Sequence, residues 1–122
     1  MVMIDANIIL RIILKDNQEM VDASLDFIKN NNVFIKNEIL AEVIYTSVKF
    51  YKMDKSEICE FISILIDDER IITESKELIL CALNLFKIRS LDFVDCLLYA
   101  YNKIFGYKIF TFDKKLNKLL DK

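Results

Sequence analysis

Histidine is absent from the 122 residues, and several chemistries are excluded with it. There is no Ser-His-Asp triad, no Cys-His pair and no histidine-bearing zinc site. The one glycine, Gly106, cannot build the phosphate-cradling loop of a P-loop or dinucleotide site. Proline is missing too, and no Pro/Gly/Ser-rich linker or low-complexity tract divides the chain. Cys59, Cys81 and Cys96 are odd in number, show no CxxC spacing and lie in helix-like apolar segments. They are expected to be buried free thiols in a reducing cytosol. No apolar run approaches the ~18 residues of a membrane span; FISILI is short, and IILRIIL is broken by Arg11. The opening residues lack the charged flank and cleavage signature of a secretory signal, so a cytoplasmic protein is expected. Carboxylates, lysines, arginines, hydroxyls, phenols and isolated thiols remain. An enzyme made from these works with acids and a hard metal.

What is present is globular. Hydrophobic residues make up 54% of the chain and charged residues 30%, enough apolar surface for one domain over residues 1–122. Four short β-like runs stand out: MVMI, NVFIK, RIIT and YKIFTF. They lack strict polar alternation, which suits strands of a buried parallel sheet. Helix-length segments at 7–15 and 18–30, 38–51 and 55–67, and 75–88 and 92–105 separate them, and KKLNKLL closes the chain as a short helix. Gly106 fits the left-handed position that ends a helix before the last run. Strand–helix–helix, three times over, then strand–helix, predicts an α/β fold on a central parallel sheet.

Open α/β sheets place their sites beyond the carboxyl ends of the strands. Asp5 follows MVMI and Asp113 follows YKIFTF, while Glu42 in EILAEVIY and Asp95 in LDFVDCLLYA lie on intervening helices. Each has a plain local explanation. Asp5 and Asp113 suit helix caps. DFVD has the spacing of a capping box, with Asp92 as the cap and Asp95 as its N3 acid. Glu42 falls opposite Leu40, Ile44, Val48 and Tyr51, which makes it a member of a solvated face. Against that, Glu38 and Glu42 are like charges at i, i+4, mildly unfavourable unless a cation is near.

In order, MIDANIILRIIL, EILAEVIY, LDFVDCLLYA and IFTFDKKL resemble the PIN-domain family, most closely its VapC-type toxins from prokaryotic toxin–antitoxin pairs. The resemblance runs over essentially the whole chain. It implies a PIN-like three-layer α/β/α sandwich on a parallel sheet of four or five short strands. It also implies a Mg²⁺- or Mn²⁺-dependent ribonuclease whose acids converge above the sheet, here Asp5, Glu42, Asp95 and Asp113. Attack by metal-activated water would leave 5′-phosphate and 3′-hydroxyl ends. Asn7 matches an asparagine that holds the site's geometry, and Thr111 a hydroxyl residue before the final acid. Either also reads as an ordinary turn or strand residue. Ala6 departs from the Thr or Ser frequent at its place, and Leu116 and Asn117 lack a further acid that some members carry. The implied partners are an RNA substrate and a VapB-like antitoxin, with no membrane; the apolar helices 38–51 and 55–67 leave room for the face of a homodimer.

The chemistry is consistent with that set. Clustered carboxylates raise one another's pKa and call for a cation, and Mg²⁺ or Mn²⁺ prefers oxygen ligands. A net charge of −2 is at odds with RNA binding, but the charge is uneven. Residues 54–77 carry a local −5, and residues 103–122 a local +4. Lys114, Lys115 and Lys118 follow Asp113 directly, placed to meet phosphates; a solvated lysine-rich helix accounts for them equally. Two rivals remain. A receiver-like signalling domain would need adjacent acids after the first strand, where Ala6 and Asn7 stand, and a lysine after the last, where Asp113 stands. A catalytically silent PIN-like module that binds RNA or protein keeps the fold without the chemistry.

Overall fold

The structure, a computed structural model, describes residues 1–121; Lys122, one of the C-terminal lysines counted above, lies outside them. The chain forms two compact units, Met1–Glu74 and Ser75–Lys122.

The first unit is α/β. Strands β1 (Val2–Met3), β2 (Val33–Ile35) and β3 (Ile71–Thr73) form one parallel sheet in the order β1-β2-β3. Between β1 and β2 run helices α1 (Ala6–Leu14) and α2 (Gln18–Lys29), and between β2 and β3 run α3 (Asn37–Lys49) and α4 (Lys55–Asp67). Parallel neighbours need such long crossovers because their ends lie at opposite edges of the sheet. The register joins Val2 to Val33 and Val33 to Ile71 in one row, and Met3 to Phe34 and Phe34 to Ile72 in the next. The rows point to opposite faces. Val33 and Ile71 are fully buried, whereas Met3 is 55% and Ile72 37% exposed. Burial is therefore uneven between the faces, where the unalternating runs predicted it on both. Ile9, Leu40, Ile44, Ile58, Ile62 and Ile66 from α1, α3 and α4 supply large core side chains. In α4 the spacing Ile58, Ile62, Ile66 puts all three on one face. Arg70 grips both oxygens of Asp68 and donates to the Lys29 carbonyl, tying the entry of β3 to the end of α2.

The second unit is helical: α5 (Lys76–Ile88), α6 (Phe93–Phe105) and α7 (Lys114–Leu119). Ser75 caps α5 by accepting from the Leu78 N–H at 3.1 Å. Helices α5 and α6 pack on each other, with Leu78, Ile79, Ala82, Leu83, Cys96 and Ala100 buried to within 1%. Gly106 ends α6 at φ +72°, the left-handed cap its sequence position predicted.

Two expectations are corrected. YKIFTF is not a strand; the sheet has three strands among the described residues, and residues 106–113 are irregular. Its β-prone residues meet no ladder partner, so Phe110 and Phe112 are each left 88% exposed. Of the three free thiols, Cys59 and Cys96 are buried, but Cys81 is only half-buried.

Candidate active site

Asp5 and Glu42 belong to the first unit, and Asp95 and Asp113 to the second. Asp5 sits where β1 ends. Its extended backbone precedes α1, and its Oδ1 accepts from the Ile8 N–H at 3.2 Å. The carboxylate is exposed at the rim of a mostly apolar cleft of about 430 Å³ lined by Met3, Ile4, Ile8, Ala23, Ser24 and Phe27. Asn7 is exposed on the first turn of the same helix. Glu42 is exposed on α3, opposite the buried Leu40 and Ile44 as the helical spacing predicted. Lys36 stands 3.6 Å from Glu38, so the like-charge pair on this helix has a cation at one end.

In the second unit the charges of Asp113 and Asp92 act on Asp95. Asp92 holds the cap position of α6 with an extended backbone, yet its side chain makes no capping hydrogen bond. Asp95, three residues on, makes none back to it among the described residues. The capping box that DFVD predicted is not formed. Asp95 is instead half-buried, and its carboxyl is pushed above the ordinary aspartate range. Burial is the largest cause, followed by the charge of Asp113 and then that of Asp92.

Asp113 is a true cap: its Oδ1 accepts from the Leu116 N–H at 2.8 Å. The hydroxyl of Thr111 accepts from the Asp113 N–H at 3.1 Å, so Thr111 acts through a turn rather than through strand packing. Lys114, Lys115 and Lys118 are exposed on α7, and the Lys115 ammonium reaches the Ser90 carbonyl at 3.5 Å. Tyr101 and Tyr107 stack with ring centres 5.9 Å apart, with Tyr107 59% exposed.

Two asparagines carry more of this unit than the sequence suggested. Asn102 is buried, donates to the carbonyls of Tyr107 and Asp121 at 2.9 and 3.2 Å, and accepts from the Asp121 N–H at 2.8 Å. It ties both ends of the C-terminal segment to α6. The Asn117 side chain donates to the Thr111 carbonyl at 2.8 Å. Neither bond spans a helical repeat, so periodicity gives no signal for it.

The donors fit a hard divalent cation by their chemistry. They are carboxylate oxygens, and a cation would offset both the burial of Asp95 and the neighbouring charges of Asp113 and Asp92 that raise its pKa. They are not a closed cage, since among the described residues no three acids or cysteines form a group able to hold a metal ion. No described helix is long and apolar enough to cross a membrane.

Comparison with known proteins agrees with the residue pattern. A family model described as PIN domain matches residues 2–121, running through both units. A VapC ribonuclease from Aquifex aeolicus (strain VF5) is 29% identical over 92 residues, which is 75% of this chain and 68% of that protein. No solved structure matches.

Proposed function

The chain belongs to the PIN domain family, and from that premise we propose that it is an endoribonuclease, the toxin of a type II toxin–antitoxin pair, folded as one PIN domain over residues 1–122. It hydrolyses RNA phosphodiester bonds with Mg²⁺ or Mn²⁺. The observation that carries this reading is Asp95. An acid at the start of a helix ordinarily finds its charge favoured there, yet this one is half-buried beside two other acids and holds its proton more tightly than usual. Such an arrangement is unfavourable in a purely structural role and useful for binding a cation. The similarity to a protein named VapC ribonuclease supports the substrate class.

Asp5 and Glu42 are the acids that the family pattern adds on the first unit; within the second unit Asp95 and Asp113 would hold the ion. Bound there, it supplies Lewis acidity toward the phosphate oxygens and an activated water. The chain's residues do the rest. Asp113 commits Oδ1 to the Leu116 N–H and keeps Oδ2 as its remaining donor. Partial burial of Asp95 lowers the local dielectric and strengthens its attraction for a cation. Lys114, Lys115 and Lys118 meet the phosphates that flank the cut. The antitoxin, VapB-like, presents a basic side chain to the acids, since an arginine fork matches paired carboxylates. A homodimer in the cytoplasm completes the reading.

Incubation of total RNA with the purified chain tests it. Cleavage that needs Mn²⁺ or Mg²⁺ and stops in EDTA is expected. Undiminished cleavage in excess chelator would refute the metal mechanism. The silent-module alternative draws on the lack of a closed three-acid group; RNA binding without cleavage at any Mn²⁺ concentration would establish it instead.

A further inference from the structure

The segment that delivers Asp113 is held by little besides hydrogen bonds. It has no strand partner among the described residues, and its two phenylalanines, Phe110 and Phe112, contact each other edge to face while remaining 88% exposed. Apolar burial therefore does not fix residues 110–113. Polar contacts do, three of them through side chains. The Asp113 N–H donates to the Thr111 hydroxyl, Asp113 Oδ1 accepts from the Leu116 N–H, and the Asn117 side-chain amide donates to the Thr111 carbonyl at 2.8 Å. The first two lie within the turn and the cap themselves. The third comes from a full turn into α7, where the Asn117 N–H also donates to the Asp113 carbonyl at 3.0 Å. Asn117 thus holds the residue two before Asp113 with its side chain and Asp113 itself with its backbone.

We infer that Asn117 is a positioning residue for Asp113: by clamping the Thr111 carbonyl to α7, it fixes the turn from which Asp113 offers its carboxylate to the cation. The inference rests on the metal-dependent reading above. It assigns Asn117 no contact with metal or RNA. A carboxylate at this position would be the wrong substitute, because it presents an acceptor to the carbonyl it must hold. The Thr111 hydroxyl is the second half of the same clamp.

Four variants test this: Asn117→Ala, Asn117→Asp, Thr111→Val and Thr111→Ser. The first readout is hydrogen exchange of the Asp113 amide in metal-free protein, and the second is Mn²⁺ binding followed by calorimetry. The third is the Mn²⁺ concentration that gives half-maximal RNA cleavage. Asn117→Ala, Asn117→Asp and Thr111→Val should exchange the Asp113 amide faster than the parent and bind Mn²⁺ about tenfold or more weakly, the usual effect of losing a residue that orients a ligand. Their cleavage at saturating Mn²⁺ should fall less than their affinity. Thr111→Ser keeps the hydroxyl and should keep the parent's values. Should Asn117→Ala fail to fold, the near-isosteric Asn117→Asp, which removes the donor to the Thr111 carbonyl, decides the matter on the same three readouts. Folded Asn117 variants with the parent's Asp113 exchange and Mn²⁺ affinity would overturn the inference. A parent chain that neither binds Mn²⁺ nor cleaves RNA would instead remove the nuclease reading, and the exchange readout would still report on the clamp.

Discussion

Asp95 ionises against the charge of Asp113. Partial burial contributes most to the rise in its pKa, Asp113 next and Asp92 after it. The N-terminal end of α6 acts in the opposite direction and is outweighed. Linkage then fixes the sign. In the unfolded chain Asp95 loses its proton first, so over the window between the ordinary aspartate pKa and the raised one the folded state binds more protons. Stability falls as pH rises through that window and stays lowered above it.

Asp95→Asn should therefore stabilise the metal-free protein at neutral pH, or leave it unchanged, and the difference should vanish below the ordinary aspartate range. Asp92→Asn should change stability little, since Asp92 makes no capping bond to lose, and should lower the Asp95 pKa in the fold. Urea melts of both variants and the parent across the acid range measure this. A metal-free Asp95→Asn that melts lower than the parent at neutral pH would make Asp95 a helix-end charge and no more.

Metal should reverse the order. Binding only the folded state stabilises by mass action, about 2.7 kcal/mol at a hundredfold excess over Kd. Mn²⁺ should raise the parent's Tm, raise that of Asp95→Asn by less, and restore RNA cleavage only in the parent. Equal Mn²⁺-induced shifts in the two proteins would remove Asp95 from the ligand set.

Asp113 caps α7 and is also the proposed metal ligand, two roles that substitution can separate. As the cap of α7 it accepts from the Leu116 N–H, and asparagine caps about as well as aspartate. Asp113→Asn should keep most of the stability and lose cleavage, whereas Asp113→Ala should lose cleavage and about 1 kcal/mol besides. Thermal melts beside an RNA cleavage assay distinguish them. Full activity in Asp113→Asn would leave the cap as its whole function.

How far the chain could be read depended on whether a feature was local. Helix α4 was legible to the residue because Asp54 caps it and Ile58, Ile62 and Ile66 repeat at helical spacing. Gly106 was legible because only glycine takes that backbone conformation without strain. YKIFTF misled, since β-propensity reports a side chain's fit to a sheet and says nothing of whether a neighbouring edge is there to pair. DFVD misled in a different way. Its spacing permits a capping box, but burial and neighbouring charges govern what Asp95 does, and those are tertiary facts. The clamp from Asn117 to Thr111 and the ties from Asn102 to Asp121 join residues through side chains with no periodic signature. The four acids were singled out only by taking the four segments in order; each alone read equally well as a cap or a solvated face.

Asn102 is the polar residue whose loss should be felt most in the second unit. Asn102→Ala would strip partners from the Tyr107 carbonyl and from both backbone groups of Asp121. Unmet buried groups cost about 1–3 kcal/mol each, although those near a chain end regain water. A net loss of about 1–3 kcal/mol is expected, together with faster amide exchange at Asp121 and in α7. Chemical denaturation with exchange measured by NMR checks both, and an unchanged midpoint would show that the C-terminal segment is held by its apolar contacts alone.

The lysines after Asp113 are best judged by salt. Lys114, Lys115 and Lys118 are exposed, so replacing all three with glutamine should move stability by no more than a surface change does, roughly 0.5 kcal/mol either way. If they are only a solvated face, RNA affinity will not notice. If they hold phosphates, each releases counterions on binding, and for a single strand each contact adds about 0.7 to the slope of log affinity against log salt. Loss of three contacts should then flatten the slope by about 2 and weaken binding most at low salt, where the electrostatic term is largest. Binding is measured in Ca²⁺ or with Asp95→Asn, so that the RNA survives the titration. A triple variant with the parent's slope would assign phosphate contact to other residues and leave these lysines to solubility.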